Sequence, residues 1–165
     1  MPNSLKTELI NYIKRYGKVV TARELKTKEV LMYNFSVHEF DFHLKKAQQK
    51  YVDEKIGKYL NEIIKIIEIL HTDRNSRRAI LQFRMDEEIP ECVANIHFLI
   101  REDRLWTIVS QRSIDVENNL ETDIMIAKKM SDMICEQLKV ELQLIKFNVN
   151  SFHIYLKEEE DNGNI

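Results

Sequence analysis

Hydrophobic positions in the first half of the chain alternate between helical and extended spacing. Apolar residues at helical spacing predict a first helix that begins at Ser4, a candidate N-cap, and ends at Gly17. Alternating apolar and polar residues then predict two strands, over 19–23 and 31–40. The helical spacing returns between residues 41 and 71, which predicts one long helix there.

The second half of the chain has the pattern of a sheet interrupted by one helix. The predicted elements are a strand over 79–85, a hairpin with strands over 94–100 and 105–111, a helix that ends near 138 and a strand over 140–156. Thr122 or Asp123 can cap the helix, and the last strand is expected to be kinked near Asn148. Because the chain has only three glycines and two prolines, we expect few tight turns. We predict an α+β fold with a mixed, mainly antiparallel sheet packed by helices.

Composition and charge favour one soluble domain. The chain has 165 residues, of which 44% are hydrophobic and 32% charged, so we predict a single domain over 1–156 and an acidic, flexible tail over 157–165. The formal charge of −2 supplies no global positive field, and no DNA partner is expected. The sequence has no apolar run of membrane-spanning length, no signal-peptide core and no cysteine framework, which predicts a cytoplasmic protein without a membrane partner.

Cys92 is the candidate nucleophile. It follows Pro90 and Glu91 at the point where a loop enters a predicted strand. A thiolate there could add to carbon 6 of a pyrimidine and make carbon 5 nucleophilic, provided that neighbouring arginines lower the pKa of the thiol. The alternative is the usual role of a free cysteine, a small buried hydrophobe, and we assign that role to Cys135.

Arginines near predicted strand ends are candidate phosphate ligands. Arg77 and Arg78 follow a short polar segment, and Arg112, followed by Ser113, comes at the end of a predicted strand. Arginine suits phosphate because its planar guanidinium makes two charge-assisted hydrogen bonds at once, and Ser113 could add a neutral donor. The alternative for the Arg77–Arg78 pair is a solvated turn.

Asp123 is a candidate ligand of the base. The sugar has two candidate ligands, His153 and Tyr155. A carboxylate at Asp123 can accept a hydrogen bond from the amino group of cytosine and, when protonated, can donate one to the ring nitrogen, whereas uracil suits a side-chain amide. His153 and Tyr155 lie two positions apart on a predicted strand, where both could reach a ribose hydroxyl. The alternatives are a helix N-cap for Asp123 and an ordinary, partly buried His/Tyr pair.

A metal site is not expected. His38, Glu39 and His43 are close in sequence, but His38 lies on a predicted strand and His43 at the start of the next helix. A third ligand is not obvious, so we predict that the chain binds no metal.

Several short motifs, taken in order, resemble the thymidylate synthase and deoxycytidylate hydroxymethylase superfamily. They are Asp73-Arg74-Asn75-Ser76-Arg77-Arg78, Pro90-Glu91-Cys92, Gln111-Arg112-Ser113-Ile114-Asp115 and Phe152-His153-Ile154-Tyr155, with a weaker match that runs from Thr21-Ala22-Arg23 through Lys28-Glu29. The four are similar to that family's phosphate-binding turn, nucleophile motif, Q-R-S-x-D signature and x-H-I-Y strand. One short match arises easily by chance, whereas an ordered series does not. The resemblance implies a thymidylate synthase-like fold.

The resemblance also implies a role for each candidate residue. Cys92 is the nucleophile. The implied ligands are Arg23, Arg77, Arg78, Arg112 and Ser113 for the 5′-phosphate, Asp115 and Asp123 for the base, and His153 and Tyr155 for the sugar. The Arg77–Arg78 pair is expected to reach across the interface of a homodimer. The uracil enzymes of the family have asparagine where Asp123 stands, so the resemblance favours dCMP or CMP over dUMP.

The cofactor implied by the resemblance is 5,10-methylenetetrahydrofolate, although parts of the folate site look absent. Ten residues follow Tyr155, and the region before Ser76 lacks the tryptophan-rich stretch that stacks on folate in the family. The catalytic glutamate has two candidates, Glu39 and Glu54, and Glu54 is our prediction. The expected activity is C5 methyl or hydroxymethyl transfer to a pyrimidine nucleoside monophosphate. The alternatives are a regulatory nucleotide-binding homologue without folate chemistry and a structural dimer that binds no nucleotide.

Overall fold

The computed structural model describes residues 3–84 and 91–157. The elements in chain order are α1 (Asn3–Tyr16), β1 (Lys18–Ala22), β2 (Leu25–Val37), α2 (Lys46–Lys58), α3 (Leu60–Thr72), β3 (Ile80–Gln82), β4 (Val93–Arg101), β5 (Arg104–Asp115), α4 (Leu120–Leu138) and β6 (Glu141–Tyr155). The predicted α+β class is confirmed. The predicted tail falls, except for Lys157, outside the described residues. Every helix within these two ranges is too short or too polar to cross a membrane.

The strands form one six-stranded sheet in the order β1-β2-β6-β5-β4-β3. Neighbouring strands are antiparallel except for β5 and β6, which run parallel. A parallel pair needs a long crossover connection, and α4 provides it. The C-terminal ends of β5 and β6 therefore lie side by side, with Asp115 opposite His153, while Glu29 of β2 lies opposite His153 on its other side. The candidate site lies at this end of the sheet.

Helices cover one face of the sheet. Burial alternates along β5, where Leu105, Thr107 and Val109 are buried beneath them. α4 packs against this face with buried residues such as Ile134. The hydroxyl groups of Thr107 and Ser131 share a buried hydrogen bond of 2.8 Å, which satisfies both polar groups inside an otherwise apolar core.

The opposite face of the sheet is largely uncovered in the described part of the chain. Trp106 is 37% exposed and pairs across the sheet with Leu99 of β4 and Leu144 of β6, which are both half-buried. Ile108 is half-buried on the same face, and a shallow cavity of about 390 Å³ opens beside it. We call these four residues the open face. Contiguous apolar groups on an uncovered surface are typical of an interface with another molecule.

The long helix predicted over 41–71 is divided in two. α2 and α3 meet at Tyr59, whose φ of −109° and ψ of 16° interrupt the helical geometry. Tyr59 is buried, its ring packs on Phe83 with centroids 4.6 Å apart, and its hydroxyl accepts a hydrogen bond from the backbone N–H of Arg84 at 3.0 Å. The break between the two helices is set by the tertiary packing of Tyr59. The hydrophobic periodicity of the sequence continues across it and therefore did not predict it.

Several strands differ in length from the prediction. β2 begins earlier, at Leu25, and forms a hairpin with β1. β5 continues past Gln111 to Asp115 because it pairs with β6 over its whole length. β3 is shorter than the strand predicted over 79–85, the last residue of which lies outside the described ranges. The ladder between β2 and β6 is continuous through Asn148, where a kink was expected.

The start of α4 also differs from the prediction. The helix begins at Leu120, and Asn119 occupies the N-cap position. Thr122 and Asp123 therefore lie inside the first turn, and the prediction that one of them caps the helix was wrong. This shift matters because it frees the Asp123 side chain from capping the backbone.

Candidate active site

A cavity of about 990 Å³ opens at the end of the sheet where β5 and β6 finish. Residues of β2, α2 and the first turns of α4 complete its lining. Most of the predicted site residues line it: Arg23, Cys92, Arg112, Ser113, Asp115, Asp123, His153 and Tyr155. The volume is at the upper end of the range of about 300–1,000 Å³ that is usual for small-molecule sites.

Cys92 presents an exposed thiol to this cavity. Its carbonyl oxygen accepts a hydrogen bond from the backbone N–H of Arg112 at 2.8 Å, and this link brings the Ser113 hydroxyl within 3.8 Å of the Cys92 sulfur. The alternative of a buried structural cysteine therefore does not apply to Cys92. Cys135 on α4 is half-buried, and burial raises the pKa of its thiol to about 11. Pro90 lies outside the described residues.

Two arginines reach the cavity from different parts of the sheet. Arg112 of β5 donates from Nε to the carbonyl oxygen of Glu91 at 3.2 Å. Arg23 forms the tip of the β1–β2 hairpin together with Glu24, and their φ angles are 52° and 66°. A two-residue hairpin of this type requires positive φ at both positions. Arg23, Arg112 and the Ser113 hydroxyl together form a candidate anion site.

Arg77 and Arg78 do not line the cavity. Both are exposed in the segment between α3 and β3. The backbone N–H of Arg78 donates to the Ser76 hydroxyl at 3.2 Å, and the carbonyl oxygen of Arg77 lies 3.1 Å from the ring of His97. These contacts hold the segment at the surface. The predicted role of the pair involves a second chain and stays a prediction.

Asp123 faces the cavity from the first turn of α4 and is held by Gln111 of β5. Nε2 of Gln111 donates a hydrogen bond to Oδ2 of Asp123 at 2.5 Å. Burial raises the pKa of Asp123 to about 6, although the hydrogen bond from Gln111 acts in the opposite direction. Oε1 of Gln111 is buried and has no hydrogen-bond partner among the residues described. Near pH 6 the Asp123 carboxyl can therefore act either as a donor or as an acceptor.

Asp115 uses its carboxylate to shape the turn between β5 and α4. Oδ1 accepts hydrogen bonds from the backbone N–H groups of Glu117 and Asn118 at 3.1 and 3.3 Å. Oδ2 accepts one from the side-chain amide of Asn118 at 2.7 Å. Asp115 therefore supports the cavity chiefly by positioning the backbone that leads into α4.

His153 and Tyr155 reach the cavity from one face of β6. Their rings lie edge to face with centroids 5.4 Å apart. Ser151 lies on the same face, 3.4 Å from Nδ1 of His153, and its hydroxyl donates to a carboxylate oxygen of Glu29. No role was predicted from the sequence for Ser151 or Glu29. Ser151 shares the period of two with His153, but Glu29 joins the group through strand register, which the sequence alone does not show.

A lysine–glutamate cluster was missed as well. Nζ of Lys55 lies 2.6 and 2.7 Å from the two carboxylate oxygens of Glu91, and Nζ of Lys58 lies 3.4 Å from one of them. Burial by itself would raise the pKa of Glu91, but its hydrogen bonds and charge interactions with both lysines hold it below the ordinary value. The cluster joins α2 to the residue that precedes Cys92.

Neither glutamate candidate lies at the cavity. Glu54 is exposed and lies 3.6 Å from Lys50 on the outer side of α2. Successive residues of a helix are about 100° apart, so the helix that turns Lys55 inward turns Glu54 outward. Glu39 is exposed in the segment after β2. The position of Glu54 does not support its predicted catalytic role.

The histidines considered for a metal site lie at the surface. Nδ1 of His43 is 3.9 Å from Asp41, and both side chains are largely exposed. Within residues 3–84 and 91–157, no three side chains of the metal-binding types converge.

The chain is similar to proteins of a known family. The model of the thymidylate synthase family matches residues 3–162. The chain belongs to this family. A protein of Methanocaldococcus jannaschii named "Putative thymidylate synthase" is 29% identical to the chain over 146 residues. The aligned part covers 82% of this chain and 64% of the relative, so the thymidylate synthase family member described here spans less than two thirds of that relative's length.

Proposed function

We propose that this thymidylate synthase family member binds a pyrimidine nucleoside 5′-monophosphate and transfers a one-carbon group to carbon 5 of its base, with Cys92 as the nucleophile. One observation carries the proposal. The exposed Cys92 thiol and the Ser113 hydroxyl lie 3.8 Å apart in a cavity that also contains Arg23, Arg112 and Asp123. The cavity thus brings together candidate ligands for an anion, a candidate nucleophile and a carboxyl group that could bind the base. Its volume is large enough for a nucleotide.

The phosphate would be bound by Arg23, Arg112 and Ser113. Two guanidinium groups and a hydroxyl provide charge-assisted and neutral donors to the same anion. The anchored phosphate would orient the base toward the sulfur.

The reaction would begin when the Cys92 thiolate adds to carbon 6 of the base. A sulfur–carbon bond forms, and the electron pair of the C5–C6 double bond moves to carbon 5. Carbon 5 would then take the one-carbon unit, whose bond to its carrier breaks, and would lose its own hydrogen as a proton to a base. Addition of water to this unit would give a hydroxymethyl group, whereas a methyl group would also need a hydride supplied by the carrier. Elimination of the thiolate restores the double bond and frees Cys92. The net change is replacement of the hydrogen at carbon 5.

Asp123 would select cytosine over uracil. The amino group of cytosine donates to a carboxyl oxygen, and a protonated carboxyl donates to the ring nitrogen. The raised pKa of about 6 makes the protonated form accessible, and Gln111 fixes the orientation of the group. The preferred substrates would be dCMP and CMP, with dUMP third.

The family generally uses 5,10-methylenetetrahydrofolate, and the cavity fits such a ligand at two points. Tyr51 of α2 lines the cavity and is 46% exposed; the Lys55 ammonium lies 5.1 Å from the centre of its ring, and a flat heterocycle could stack on the other face. Lys55 and Lys58 share the single carboxylate of Glu91, so this cluster keeps one net positive charge for a ligand carboxylate. This cofactor supplies the one-carbon unit when it is bound.

A homodimer is the expected assembly. The open face gives a second copy an apolar surface to cover, and Arg77 and Arg78 are exposed, as residues that reach a partner's site must be. We also expect a cytoplasmic location, in keeping with the free thiols of Cys92 and Cys135. Nucleic acids and membranes are not expected partners.

The test is release of tritium from carbon 5 of labelled CMP or dCMP, with and without methylenetetrahydrofolate. Cys92→Ser should lower release by at least about a thousandfold, because serine at neutral pH is a far weaker nucleophile, while nucleotide affinity stays within about threefold. Cys135→Ser is the matched control and should release tritium at the wild-type rate. Unchanged release by the Cys92 variant would remove Cys92 from the mechanism.

A nucleotide-binding protein without C5 chemistry is the second candidate. It is favoured by the position of Glu54 outside the cavity and by the neutralisation of Glu91 by Lys55 and Lys58. This candidate predicts binding of CMP or dCMP in calorimetry with no release of tritium from the wild-type protein. A structural dimer predicts no binding at all.

A further inference from the structure

Glu29 is a carboxylate beside the proposed sugar-binding pair. It lies on β2 directly opposite His153 of β6, and both side chains line the cavity. Directly opposed residues of an antiparallel pair have Cβ atoms about 4.5–5.5 Å apart, so the two polar groups are immediate neighbours. Glu29 is half-buried, which limits the competition of water for its oxygens.

Ser151 links Glu29 to His153 by a chain of hydrogen bonds. The Ser151 hydroxyl donates to Oε1 of Glu29 and lies 3.4 Å from Nδ1 of His153. A hydroxyl has one proton, so once it donates to Glu29 it can only accept from His153. This direction requires the proton of neutral His153 to be on Nδ1, and it leaves Nε2 as an acceptor.

Two acceptors therefore stand side by side at the sugar end of the site. One is Nε2 of His153, and the other is the Glu29 carboxylate, whose Oε2 is not used by Ser151. Two adjacent acceptors match two adjacent hydroxyl donors. A ribose has such a pair in its 2′ and 3′ hydroxyls, whereas a 2′-deoxyribose has the 3′ hydroxyl alone.

We infer that Glu29 is a specificity-determining residue that makes the site prefer a ribonucleoside monophosphate to its 2′-deoxy counterpart. The inference rests on the proposed function, because it assumes that a nucleotide binds with its sugar at His153 and Tyr155. A hydrogen bond from a hydroxyl to a charged acceptor in a partly buried site corresponds to an affinity difference of about tenfold. CMP would then bind more tightly than dCMP.

The test is calorimetry of the wild-type protein and two variants with CMP and dCMP. Wild type should bind CMP about tenfold more tightly than dCMP. Glu29→Gln should lower this ratio to within about threefold of unity, because an amide has one acceptor oxygen and both Ser151 and the sugar need it. The affinity for dCMP should change little. The matched control, Glu141→Gln, changes an exposed residue at the far end of β6 and should keep the wild-type ratio.

The outcomes separate this inference from the proposed function. If wild type binds dCMP as tightly as CMP, or if Glu29→Gln keeps the wild-type ratio, Glu29 does not read the sugar, while the proposed function stands. If neither nucleotide binds, both are overturned. Should Glu29→Gln fail to fold, which its unfolding temperature would reveal, Glu29→Asp takes its place, because the shorter side chain withdraws the carboxylate from the sugar and should lower the ratio in the same way. A wild-type ratio near unity overturns the inference in either case.

Discussion

At the scale of single residues, Asp123 combines recognition with a cost in stability. Its carboxyl accepts a hydrogen bond from Nε2 of Gln111, and Oε1 of the same amide is buried without a partner in the described chain. A buried acceptor without a donor is unfavourable. A protonated Asp123 has a hydroxyl that can donate to it or to a bound base. Protonation of Asp123 can therefore supply the hydrogen bond that Oε1 of Gln111 lacks.

This arrangement predicts a pH-dependent cost in stability. The pKa of Asp123 is about 6 in the folded chain, against an ordinary value of 3.8, so the folded state binds the proton more tightly. Stability falls as pH rises from about 4 to 6, and the full cost is present above pH 6. Asp123→Asn should therefore stabilise the protein by about 1–3 kcal/mol at pH 8 and by little at pH 4.

Urea unfolding at both pH values measures the effect. Asp132→Asn is the control, because Asp132 is an exposed carboxylate on the same helix, paired with Lys128. The control should show no gain that appears only at high pH. A gain from Asp123→Asn that is equal at pH 4 and pH 8 would contradict a raised pKa of Asp123.

Asp123→Asn should also change the base preference. An amide can donate to a uracil carbonyl and accept from its ring N–H, whereas it matches cytosine in a different orientation. The ratio of affinities for dUMP and dCMP should rise by about tenfold or more, as measured by calorimetry. A ratio equal to that of the wild-type protein would leave Asp123 with a structural role only.

The residue types of the site were predictable, but several of their partners were not. Cys92, Arg112 and His153 belong to motifs that are continuous in sequence, and all three line the cavity. Glu29 and Lys55 reach it through strand register and helix packing, which depend on contacts distant in sequence. Glu54 was chosen by type and position alone, and helix geometry turns it away.

At the scale of elements, the β5–α4–β6 unit builds the site. β5 carries Arg112 and Ser113, α4 carries Asp123, and β6 carries His153. Because β5 and β6 are parallel neighbours, the ends of both strands and the start of the helix between them meet at one end of the sheet. Groups that are forty residues apart in sequence therefore line a single cavity.

Local patterns predicted the existence of most elements and failed at their ends. α1 and the β4–β5 hairpin follow their periodicity closely. β5 was expected to end at Gln111, with a turn beginning at Arg112, yet pairing with β6 extends the strand to Asp115. The break at Tyr59 arises from packing against Phe83. Boundaries set by tertiary contacts leave no trace in hydrophobic spacing.

At the scale of the whole molecule, the two faces of the sheet have different tasks. One face forms the core with the helices, and the open face carries Trp106 and its apolar neighbours. Buried residues alternate with these positions along β5 as far as Gln111. A protein of this size can keep such a surface uncovered as a monomer, but a self-complementary contact would remove it from water.

Trp106→Arg should prevent formation of the expected homodimer. Placing a charge in a self-complementary apolar contact introduces it twice, next to its own symmetry mate, and desolvates both copies. The dimer dissociation constant should rise at least about tenfold, as measured by sedimentation at several protein concentrations. The fold should persist, since Trp106 lies outside the core.

Tyr16→Arg is the control for this substitution. Tyr16 is an aromatic residue of α1 that is 56% exposed and does not belong to the open face. Its variant should associate as the wild-type protein does. A wild-type chain that remains monomeric at tens of micromolar would remove the dimer and, with it, the role expected for Arg77 and Arg78.

The backbone at the tip of the first hairpin has a cost in stability. Arg23 and Glu24 adopt a backbone conformation that disfavours L-residues by about 1–2 kcal/mol each, and asparagine–glycine is the sequence such a turn favours. Glycine at position 23 would remove this backbone cost but would also remove one guanidinium group from the proposed anion site. If Arg23 binds the phosphate as proposed, the stability of the turn and the affinity for the ligand favour different residues at this position, and arginine favours affinity.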